Sequence, residues 1–450
     1  MSGRHERVMG FPDPPPRSEA VTRTVPPHAA RPVPIARAES PRIGALRDRL
    51  GSGRDADALA AFWDEVAAAG TPLIEDDDGH ACTYTFVHRG TPGTRRVALI
   101  ANKMADALTM EHALFAQVPG TDVWWLSMRL GTSWRGSYAI AVLDDTPHAV
   151  SGPAAETLEK RRARSLAVSD PGHHARIHDW YELMHRARAD PLARESARPG
   201  GRLSSVASGP RAPRAAALRP AAGPGRIVPV GDARRSDLWW HLPAGPAPEE
   251  WDVLVLLDGQ RRLREGEVLD AWRASDVVPP SITLLVGSGS LEQRVADLTC
   301  SPDLLADLVR VLDVPASVSR ELFGAPLTRD PRRTRIVGHS LGALTALYAQ
   351  CAAPERFGVS VCQSGSFWWP RADADGRAEW LTWAIASSGI RLGTVALEVG
   401  LQEWVLLEPT RRLRAALEGS CERLVYGEFD GGHDEACWEV SLPRLLRATR

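Results

Sequence analysis

The segment Arg335–Leu347, RIVGHSLGALTAL, constrains the fold of this chain more than any other stretch. It begins as an apolar β-branched run, passes through GHSLG (338–342), and continues with the Ala/Leu pattern of a helix. A strand, a sharp turn and a helix in this order form the G-x-S-x-G nucleophile elbow. Glycines flank the serine there because the tight turn leaves no room for side chains. We therefore predict that Ser340 is a catalytic nucleophile, against the alternative of a serine in an ordinary turn.

The composition is that of a globular protein with no bias toward nucleic acid or membranes. The 450 residues are 44% hydrophobic and carry a formal net charge of −2, so the chain can bury a full core. Its six cysteines form no C-x-x-C pair, which favours free buried thiols over a zinc or disulfide framework. No apolar run approaches the roughly 18 residues of a membrane span, and the N-terminus does not read as a signal peptide. We predict a soluble, cytoplasmic protein with no cofactor, no metal of its own, and no nucleic-acid or membrane partner.

The first third of the chain predicts a tail followed by a small β domain. Residues 1–45 are rich in Pro and Arg and predict a disordered tail. Leu46–Ala69 has the apolar spacing of a helix. Short runs of alternating apolar residues follow within 46–150, which we interpret as an immunoglobulin-like antiparallel sandwich.

The remainder predicts a connector and an α/β domain. Residues 151–225 should hold a helix at Ile177–Arg188 and a Pro/Gly/Ala-rich linker at Arg198–Gly225. Residues 226–450 alternate helical stretches with continuous apolar runs that end in Gly or polar residues. Such runs favour a mostly parallel, doubly wound sheet of the α/β-hydrolase class, with functional groups at the carboxyl ends of its strands. The runs are 251–259, 281–289, 334–340, 359–365, 394–400 and 423–432.

A serine nucleophile needs a base, and the base needs a carboxylate that orients it. In α/β-hydrolases these residues follow in the order Ser, acid, His. His433, in DGGHD, follows the last predicted strand and is the only histidine after the elbow. Glu403 lies in the loop after the preceding strand and is our preferred acid, while Glu398, within that strand, remains the alternative. A Ser-His dyad that works without the acid also remains open.

Acyl transfer further requires N–H donors at the developing oxyanion. The backbone N–H of Leu341, directly after the nucleophile, is one expected donor. The second should come from the loop after the early strand, where the N–H of Gln260 is our first choice. His339 lies inside the elbow, but its side chain should point away from Ser340, so we interpret it as structural.

Several segments of this chain resemble the enterochelin (enterobactin) esterases, siderophore hydrolases of the esterase D type. The resemblance covers about residues 80–450, and its N-terminal part includes TSWRGSY (132–138) and ADPL (189–192). The matching C-terminal segments are LLDGQ (256–260), GHSLGALTALYA (338–349), PERFG (354–358), QSGSFWWP (363–370), LEVGLQE (397–403) and DGGHDEACW (430–438).

The resemblance implies an immunoglobulin-like domain followed by an α/β-hydrolase that cleaves the seryl esters of a catecholate trilactone, often as its ferric complex. It matches Ser340 and His433 to the nucleophile and base, and Glu403 to the acid. Arg135 and Arg294 look similar to family arginines and are candidate substrate ligands. This suits a ferric tris-catecholate, a trianion that guanidinium groups and aromatic faces would bind.

Trp368 and Trp369 follow a predicted strand and could wall such a pocket, although packing between helix and sheet explains them equally well. For Arg135 the plain alternative is an exposed arginine beside a core Trp. The alternatives to a siderophore esterase are a carboxylesterase or acyltransferase acting on sugar or lipid esters, and a non-catalytic protein that binds catecholates.

Overall fold

The structure is a computed structural model. It describes residues 11–15, 33–51, 55–101, 104–145, 152–197, 203–221, 223–231, 235, 237–371 and 378–450.

The chain divides into two compact units. The N-terminal unit comprises Pro32–Arg214 together with Asp430–Cys437, and the C-terminal unit comprises Met1–Arg31, Ala215–Phe429 and Trp438–Arg450. Most of the predicted tail, at 1–10 and 16–32, lies outside the described residues. Phe11 lies within them, and its ring packs edge-on against that of Trp380, 6.0 Å away.

The N-terminal unit is built on two antiparallel sheets. Their strands are β1 (Leu73–Glu75), β2 (Ala81–Arg89), β3 (Arg96–Ala101), β4 (Ala116–Gln117), β5 (Val123–Gly131), β6 (Arg135–Leu143), β7 (Ala187–Arg188), β8 (Glu195–Ala197) and β9 (Ser204–Ser208). One sheet has the order β1-β2-β5-β4 and the other β3-β6-β9-β8, with β7 paired to β6. Tyr84 and Leu126 of the first sheet share one buried core with Leu99 and Ile140 of the second. The predicted strands are confirmed, and they form a two-layer β structure.

Two helices lie where the sequence predicted one, and the first of them begins before the predicted start. The helices of this unit are α1 (Pro41–Leu50), α2 (Asp55–Ala69), α3 (Pro153–Ala167) and α4 (His174–Arg186). The prediction of one helix over Leu46–Ala69 is wrong, because α1 starts within the stretch assigned to the tail. Ser40 Oγ accepts a hydrogen bond from the Ile43 N–H at 3.2 Å, and Pro41 occupies the first helical position. This N-cap and proline supply the start signal that the apolar spacing alone did not reveal.

The predicted linker Arg198–Gly225 also contains regular structure. Ser204–Ser208 pairs with β6 and with Glu195–Ala197 as part of the second sheet. Small residues can serve as a strand when neighbouring strands supply the hydrogen bonds, and composition alone does not reveal those neighbours.

The C-terminal unit is an eight-stranded sheet flanked by helices, in the order β10-β11-β13-β12-β14-β15-β16-β17. Its strands are β10 (Arg226–Pro229), β11 (Leu238–Leu242), β12 (Asp252–Leu257), β13 (Ser281–Val286), β14 (Thr334–His339), β15 (Val359–Gln363), β16 (Leu392–Gly400) and β17 (Cys421–Phe429). Its helices are α5 (Gly266–Ala274), α6 (Leu291–Leu298), α7 (Pro302–Leu312), α8 (Ala316–Phe323), α9 (Leu341–Ala352), α10 (Trp380–Ser388), α11 (Leu407–Leu417) and α12 (Glu435–Ala448), of which α12 begins in the N-terminal unit.

The six strands β12 to β17 run parallel to one another, and β10 and β11 form an antiparallel lead-in. Two buried clusters cover the two faces of the sheet. Leu344 of α9 belongs to one cluster, and Leu445 of α12 belongs to the other. Strands buried on both faces explain why their sequences are continuously apolar. Within the described residues, no helix combines the length and apolar character that a membrane span requires.

The chain turns sharply from β14 into α9 at Ser340. Ser340 has φ 58° and ψ −119°, a conformation that few non-glycine residues adopt. A Cβ added at Gly338 would lie 2.2 Å from the backbone carbon of Gly342. The strand and the helix can approach this closely only because position 338 is a glycine, as the motif predicts.

We predict that Gly338→Ala destabilises the C-terminal unit by about 1–3 kcal/mol, because the new methyl group meets rigid backbone rather than a movable side chain. Gly419→Ala is the matched control, since a Cβ there has open space around it and its effect should stay within about 0.5 kcal/mol. Denaturant unfolding of both variants measures the difference. Equal unfolding midpoints would contradict this account of the turn.

Candidate active site

Ser340 lies in the turn of the elbow and is half-buried. The Ser340 N–H donates to the carbonyl of Gln363 at 3.1 Å, and the Ser340 carbonyl accepts from the Ser366 N–H at 3.0 Å. The two serine Oγ atoms lie 3.3 Å apart. Backbone hydrogen bonds to the end of β15 and to the residues just beyond it therefore hold the strained turn in place, so the orientation of Ser340 does not depend on flexible side chains.

The strand register brings the other candidate residues to the same edge of the sheet. His339 pairs with Gln363, which in turn pairs with Glu398, and Leu256 pairs with Val337. The parallel strands β12, β14, β15 and β16 thus end at about one level. Their following loops carry the predicted nucleophile, oxyanion donors and acid, as expected for an open α/β sheet.

The candidate oxyanion loop, Asp258–Arg262, is held by an ion pair between the buried Asp258 and the half-buried Arg294. Asp258 has φ 55° and precedes a short 3₁₀ turn, Gly259–Arg262, that contains the exposed Gln260. Arg294 Nε and Nη2 each donate to the Asp258 carboxylate at 2.7 Å, and Ser288 Oγ donates to it at 2.6 Å. Burial would raise the pKa of Asp258, but the hydrogen bonds and charge of Arg294 outweigh it, and the net pKa is lowered. Asp258 therefore stays ionised and keeps Arg294 attached to this loop.

Glu403, the preferred acid, is buried in the loop after β16. Its Oε1 accepts from the Gly400 N–H at 3.0 Å and from the hydroxyl of Ser364. Ser364 Oγ accepts in turn from the indole N–H of Trp438 at 2.7 Å. This chain of hydrogen bonds places the carboxylate beyond the ends of β15 and β16, on the edge that carries Ser340.

Glu398, the alternative acid, lies inside β16, where it pairs with Gln363 of β15. Its side chain has different hydrogen-bond partners from that of Glu403. Its carboxylate accepts hydrogen bonds from Gln363 Nε2 at 2.6 Å and from the hydroxyl of Ser441, and Arg444 lies 3.3 Å away. Burial raises the pKa of Glu398, and the hydrogen bonds from Ser441 and Gln363 offset only part of that rise. Because three side chains of β15 and α12 already engage this carboxylate, its contacts are those of a structural group.

Trp368 and Trp369 are only 4% and 6% exposed and belong to the apolar core of the C-terminal unit. The ring of Trp369 lies edge-on to that of Trp380 at a centroid distance of 6.3 Å. Of the two interpretations given for this pair, these contacts favour packing between helix and sheet. Their role as substrate ligands stays a prediction.

The ring of His339, which the sequence analysis interpreted as structural, packs edge-on against that of Trp438 at a centroid distance of 5.0 Å. This contact suits a structural role, because an edge-to-face pair stabilises the packing between β14 and α12.

His433 is half-buried in the segment Asp430–Cys437, which follows β17 and groups with the N-terminal unit. We call this segment the histidine loop. Within that unit the loop is hydrogen-bonded to the TSWRGSY segment, where Arg135 is 5% exposed and paired with Glu195. The plain expectation of an exposed arginine at position 135 is therefore wrong. Whether Arg135 binds substrate stays a prediction.

Three residues of this region received no role in the sequence analysis. Asp258 lies within the quoted LLDGQ, Ser364 within QSGSFWWP, and Asp434 directly follows His433. All three accept or donate the hydrogen bonds that position candidate catalytic groups or their loops. The motifs pointed to the right segments, but residue type alone does not reveal which partner lies across the fold.

A cavity of about 330 Å³ lies elsewhere in the C-terminal unit, lined among others by Gly225, Leu242 and Trp251. Trp251 directly precedes β12 and therefore marks the amino end of that strand, opposite to the edge of Ser340. Ligands of open α/β sheets bind at the carboxyl ends of the strands, so we do not assign this cavity to the reaction.

Two family models match this chain. Residues 83–218 match "Enterochelin esterase, N-terminal" and residues 321–449 match "Putative esterase". The first model falls mostly within the N-terminal unit, and the second contains the elbow and the histidine loop.

Full-length relatives agree with these matches. The chain is 30% identical over 418 residues to the iron(III) enterobactin esterase of Dickeya dadantii, covering 85% of this chain and 91% of that protein. It is 28% identical to the iron(III) enterobactin esterase of Escherichia coli strain K12, covering 73% of this chain and 80% of the relative. A crystal structure of the ferric enterobactin esterase of Salmonella typhimurium matches with a TM-score of 0.69 and 26% identity, over 87% of this chain and 98% of that chain.

These matches confirm the resemblance drawn from the sequence motifs, and they support an α/β-hydrolase-like fold for the C-terminal unit. The identity to the relative from Dickeya dadantii extends over nearly the whole of both proteins. The chain belongs to the enterochelin esterase family of ester hydrolases.

Proposed function

We propose that this protein hydrolyses the ester bonds of a catecholate trilactone siderophore of the enterobactin type, bound as its ferric complex, and thereby releases iron in the cytoplasm. The observation that carries the proposal is Ser340 in its strained turn at the carboxyl edge of the sheet, in a chain whose relatives are named as iron(III) enterobactin esterases. The six cysteines are free thiols, which suits a reducing compartment.

In the proposed reaction Ser340 Oγ attacks the carbonyl carbon of a seryl ester while His433 accepts its proton. The negative charge that develops on the carbonyl oxygen is stabilised by the N–H groups of Leu341 and Gln260. The intermediate collapses, the C–O bond to the serine of the trilactone breaks, and the protonated His433 returns its proton to that oxygen. Water then hydrolyses the acyl-enzyme by the same steps, with His433 again as the base.

Glu403 is proposed to orient His433 and to stabilise its protonated form. Its hydrogen bonds to Ser364 and to the Gly400 N–H support this choice, since they fix the carboxylate in a loop at the edge of Ser340. Glu398 is the less favoured acid because three other side chains engage it within the fold.

The proposed substrate is a trianion, and the predicted ligands for it are Arg135, Arg294, Trp368 and Trp369. Arg294 is paired with the ionised Asp258, so this pair adds no net charge beside the oxyanion loop. The exposed Arg261 of the same loop adds a positive charge near Gln260. This positive charge favours an anionic ester over a neutral sugar or lipid ester.

We further propose that the two sheets of the N-terminal unit form an immunoglobulin-like sandwich over 46–150. In this proposal 151–225 is a connector and 226–450 is the esterase domain. The sheet orders and the shared core support a sandwich. The pairing of β9 with β6 means that the connector also contributes to the second sheet.

We predict that Ser340→Ala lowers hydrolysis of ferric enterobactin by about 10⁶-fold while leaving unfolding unchanged, because the attacking oxygen is removed. Mass spectrometry of the products from ferric and iron-free trilactone measures the loss. A fluorophosphonate probe should label the wild type and Ser366→Ala, which retains the nucleophile, but not Ser340→Ala.

Wild-type protein that cleaves feruloyl or acetyl sugar esters but not the trilactone would overturn the siderophore assignment. Wild-type protein that binds catecholates without labelling by the probe would instead indicate a non-catalytic binding protein.

We predict that Glu403→Gln lowers kcat by about 10²–10⁴-fold, because the imidazole loses the carboxylate that orients and stabilises it. Glu398→Gln is the matched control and should keep kcat within a few-fold, since an amide oxygen can still accept the hydrogen bond from Gln363. Steady-state kinetics on one substrate compare the two variants. The reverse ranking would identify Glu398 as the acid.

Burial of Glu398 should also make the stability of the protein depend on pH. Burial raises the folded-state pKa of Glu398 above its ordinary 4.5, so the folded state binds its proton more tightly than the unfolded state. The stability from this group is therefore complete below pH 4.5 and is lost as pH rises through the folded pKa. Glu398→Gln should remove this decline in denaturant unfolding measured over that range. An unchanged pH profile would contradict the burial argument.

A further inference from the structure

The TSWRGSY segment is a rigid part of the N-terminal unit. The ring of Trp134 is buried and lies edge-on to that of Tyr84 at 5.5 Å. A Cβ at Gly136 would lie 2.8 Å from the Trp134 ring, so glycine is needed for this packing. The Gly209 N–H donates to the carbonyl of Trp134 at 2.8 Å. The backbone on either side of Arg135 is thus fixed by core packing and by a neighbouring strand.

This rigid segment is hydrogen-bonded to the histidine loop at several points. The Arg135 N–H donates to the carbonyl of Asp430 at 3.0 Å, and Arg135 Nε donates to the carbonyl of Ala436 at 2.8 Å. The N–H and the Oγ of Ser137 both donate to Asp434 Oδ2, at 2.5 and 2.7 Å. These bonds hold the loop before and after the histidine, so the backbone that carries the imidazole is held on both sides.

The loop also approaches the segment closely. An added Cβ at Gly131 would lie 1.9 Å from Asp430 Oδ2, which itself accepts from Ser133 Oγ at 3.2 Å. Cys437 Sγ donates to the carbonyl of Arg135 at 3.1 Å. The close contact between the backbone of Gly131 and the side chain of Asp430 leaves no space between them. The histidine loop therefore has little freedom to shift.

The guanidinium of Arg135 is engaged by protein groups on all three nitrogens. Nε donates to Ala436, Nη1 donates to Glu195 at 2.9 Å and to Ser208 Oγ at 2.6 Å, and Nη2 donates to the other oxygen of Glu195. The side chain is 6% exposed. A substrate anion would have to displace this bidentate carboxylate from a guanidinium that is itself buried, which is unfavourable.

We infer that Arg135 is a positioning residue for the proposed base: with Ser137 it fixes the histidine loop, and it acts on the reaction through His433 rather than by binding the siderophore. This inference rests on the proposed function, in which His433 is the base. It gives Arg135 a positioning role in place of the substrate-ligand role that the sequence resemblance implied. A base displaced by about 1 Å can lower the rate by about 10²-fold.

The test compares two substrates of different charge. The double variant Arg135→Met/Glu195→Gln removes the Nε bond to the loop without leaving Glu195 as an unpaired charge. We expect its kcat to fall about 10–100-fold both on ferric enterobactin and on the small neutral ester p-nitrophenyl butyrate, with each KM within about threefold of the wild type. The control Arg129→Met/Asp78→Asn removes another Arg–carboxylate pair of the same unit and should leave both kcat values unchanged.

Two conservative variants of Ser137 test the same inference without changing Arg135. Ser137→Ala removes the hydroxyl bond to Asp434 and should lower kcat several-fold on both substrates. Ser137→Thr keeps a hydroxyl donor and should restore it. Hydrogen exchange should be faster in the histidine loop of Ser137→Ala and of the arginine double variant than in the wild type, while exchange of β2 stays the same.

Different results of these experiments would contradict the role of Arg135 and the proposed siderophore substrate. A higher KM for ferric enterobactin with unchanged kinetics on the neutral ester would make Arg135 a substrate ligand and overturn the inference. Unchanged kinetics and unchanged loop exchange in the Ser137→Ala variant would also overturn it. Wild-type protein that cleaves the neutral ester but not the trilactone would refute the siderophore assignment, whereas the kcat comparison on the neutral ester would still decide the role of Arg135.

Discussion

The close approach of Gly338 to the backbone of Gly342 is the contact on which the site depends. It lets the chain turn from β14 into α9 within a single residue, and that residue is Ser340 at positive φ. The strain is maintained because the surrounding sheet is buried on both faces and the elbow is hydrogen-bonded to residues at and beyond the end of β15. A local conformation that is costly by about 1–3 kcal/mol persists where the surrounding structure over-determines it.

Two arginine–carboxylate pairs hold loops that carry candidate catalytic groups. Arg294 is bidentate on Asp258 and holds the loop with the proposed oxyanion donor. Arg135 is bidentate on Glu195 and holds the histidine loop. A planar guanidinium with several fixed donors is suited to this task, because one side chain can join a carboxylate, a hydroxyl and a backbone carbonyl at once.

Comparison of Glu403 with Glu398 shows how neighbours separate two similar residues. Both are buried glutamates near the end of β16. One accepts from a backbone N–H and a serine in a loop, and the other is engaged by three side chains within the fold. The sequence separates them only by their positions, one within the strand and the other in the loop after it. Their hydrogen-bond partners distinguish them.

The amino-acid sequence by itself determined most strands of the N-terminal unit and of the parallel sheet, the elbow at Ser340 and the family. The spacing of apolar residues and the glycines of a tight turn are local patterns. They can be recognised without knowing the fold. The start of α1 was misplaced because the prediction relied on apolar spacing and not on the Ser40-Pro41 start signal. The strand Ser204–Ser208 was missed because a strand of small residues is recognised only with its neighbouring strands. Only the tertiary structure decided that Arg294 pairs with Asp258 and that Arg135 and Ser137 hold the histidine loop. These partners lie up to about 300 positions apart in the chain, and no local pattern encodes which buried charge or backbone carbonyl will meet a given guanidinium.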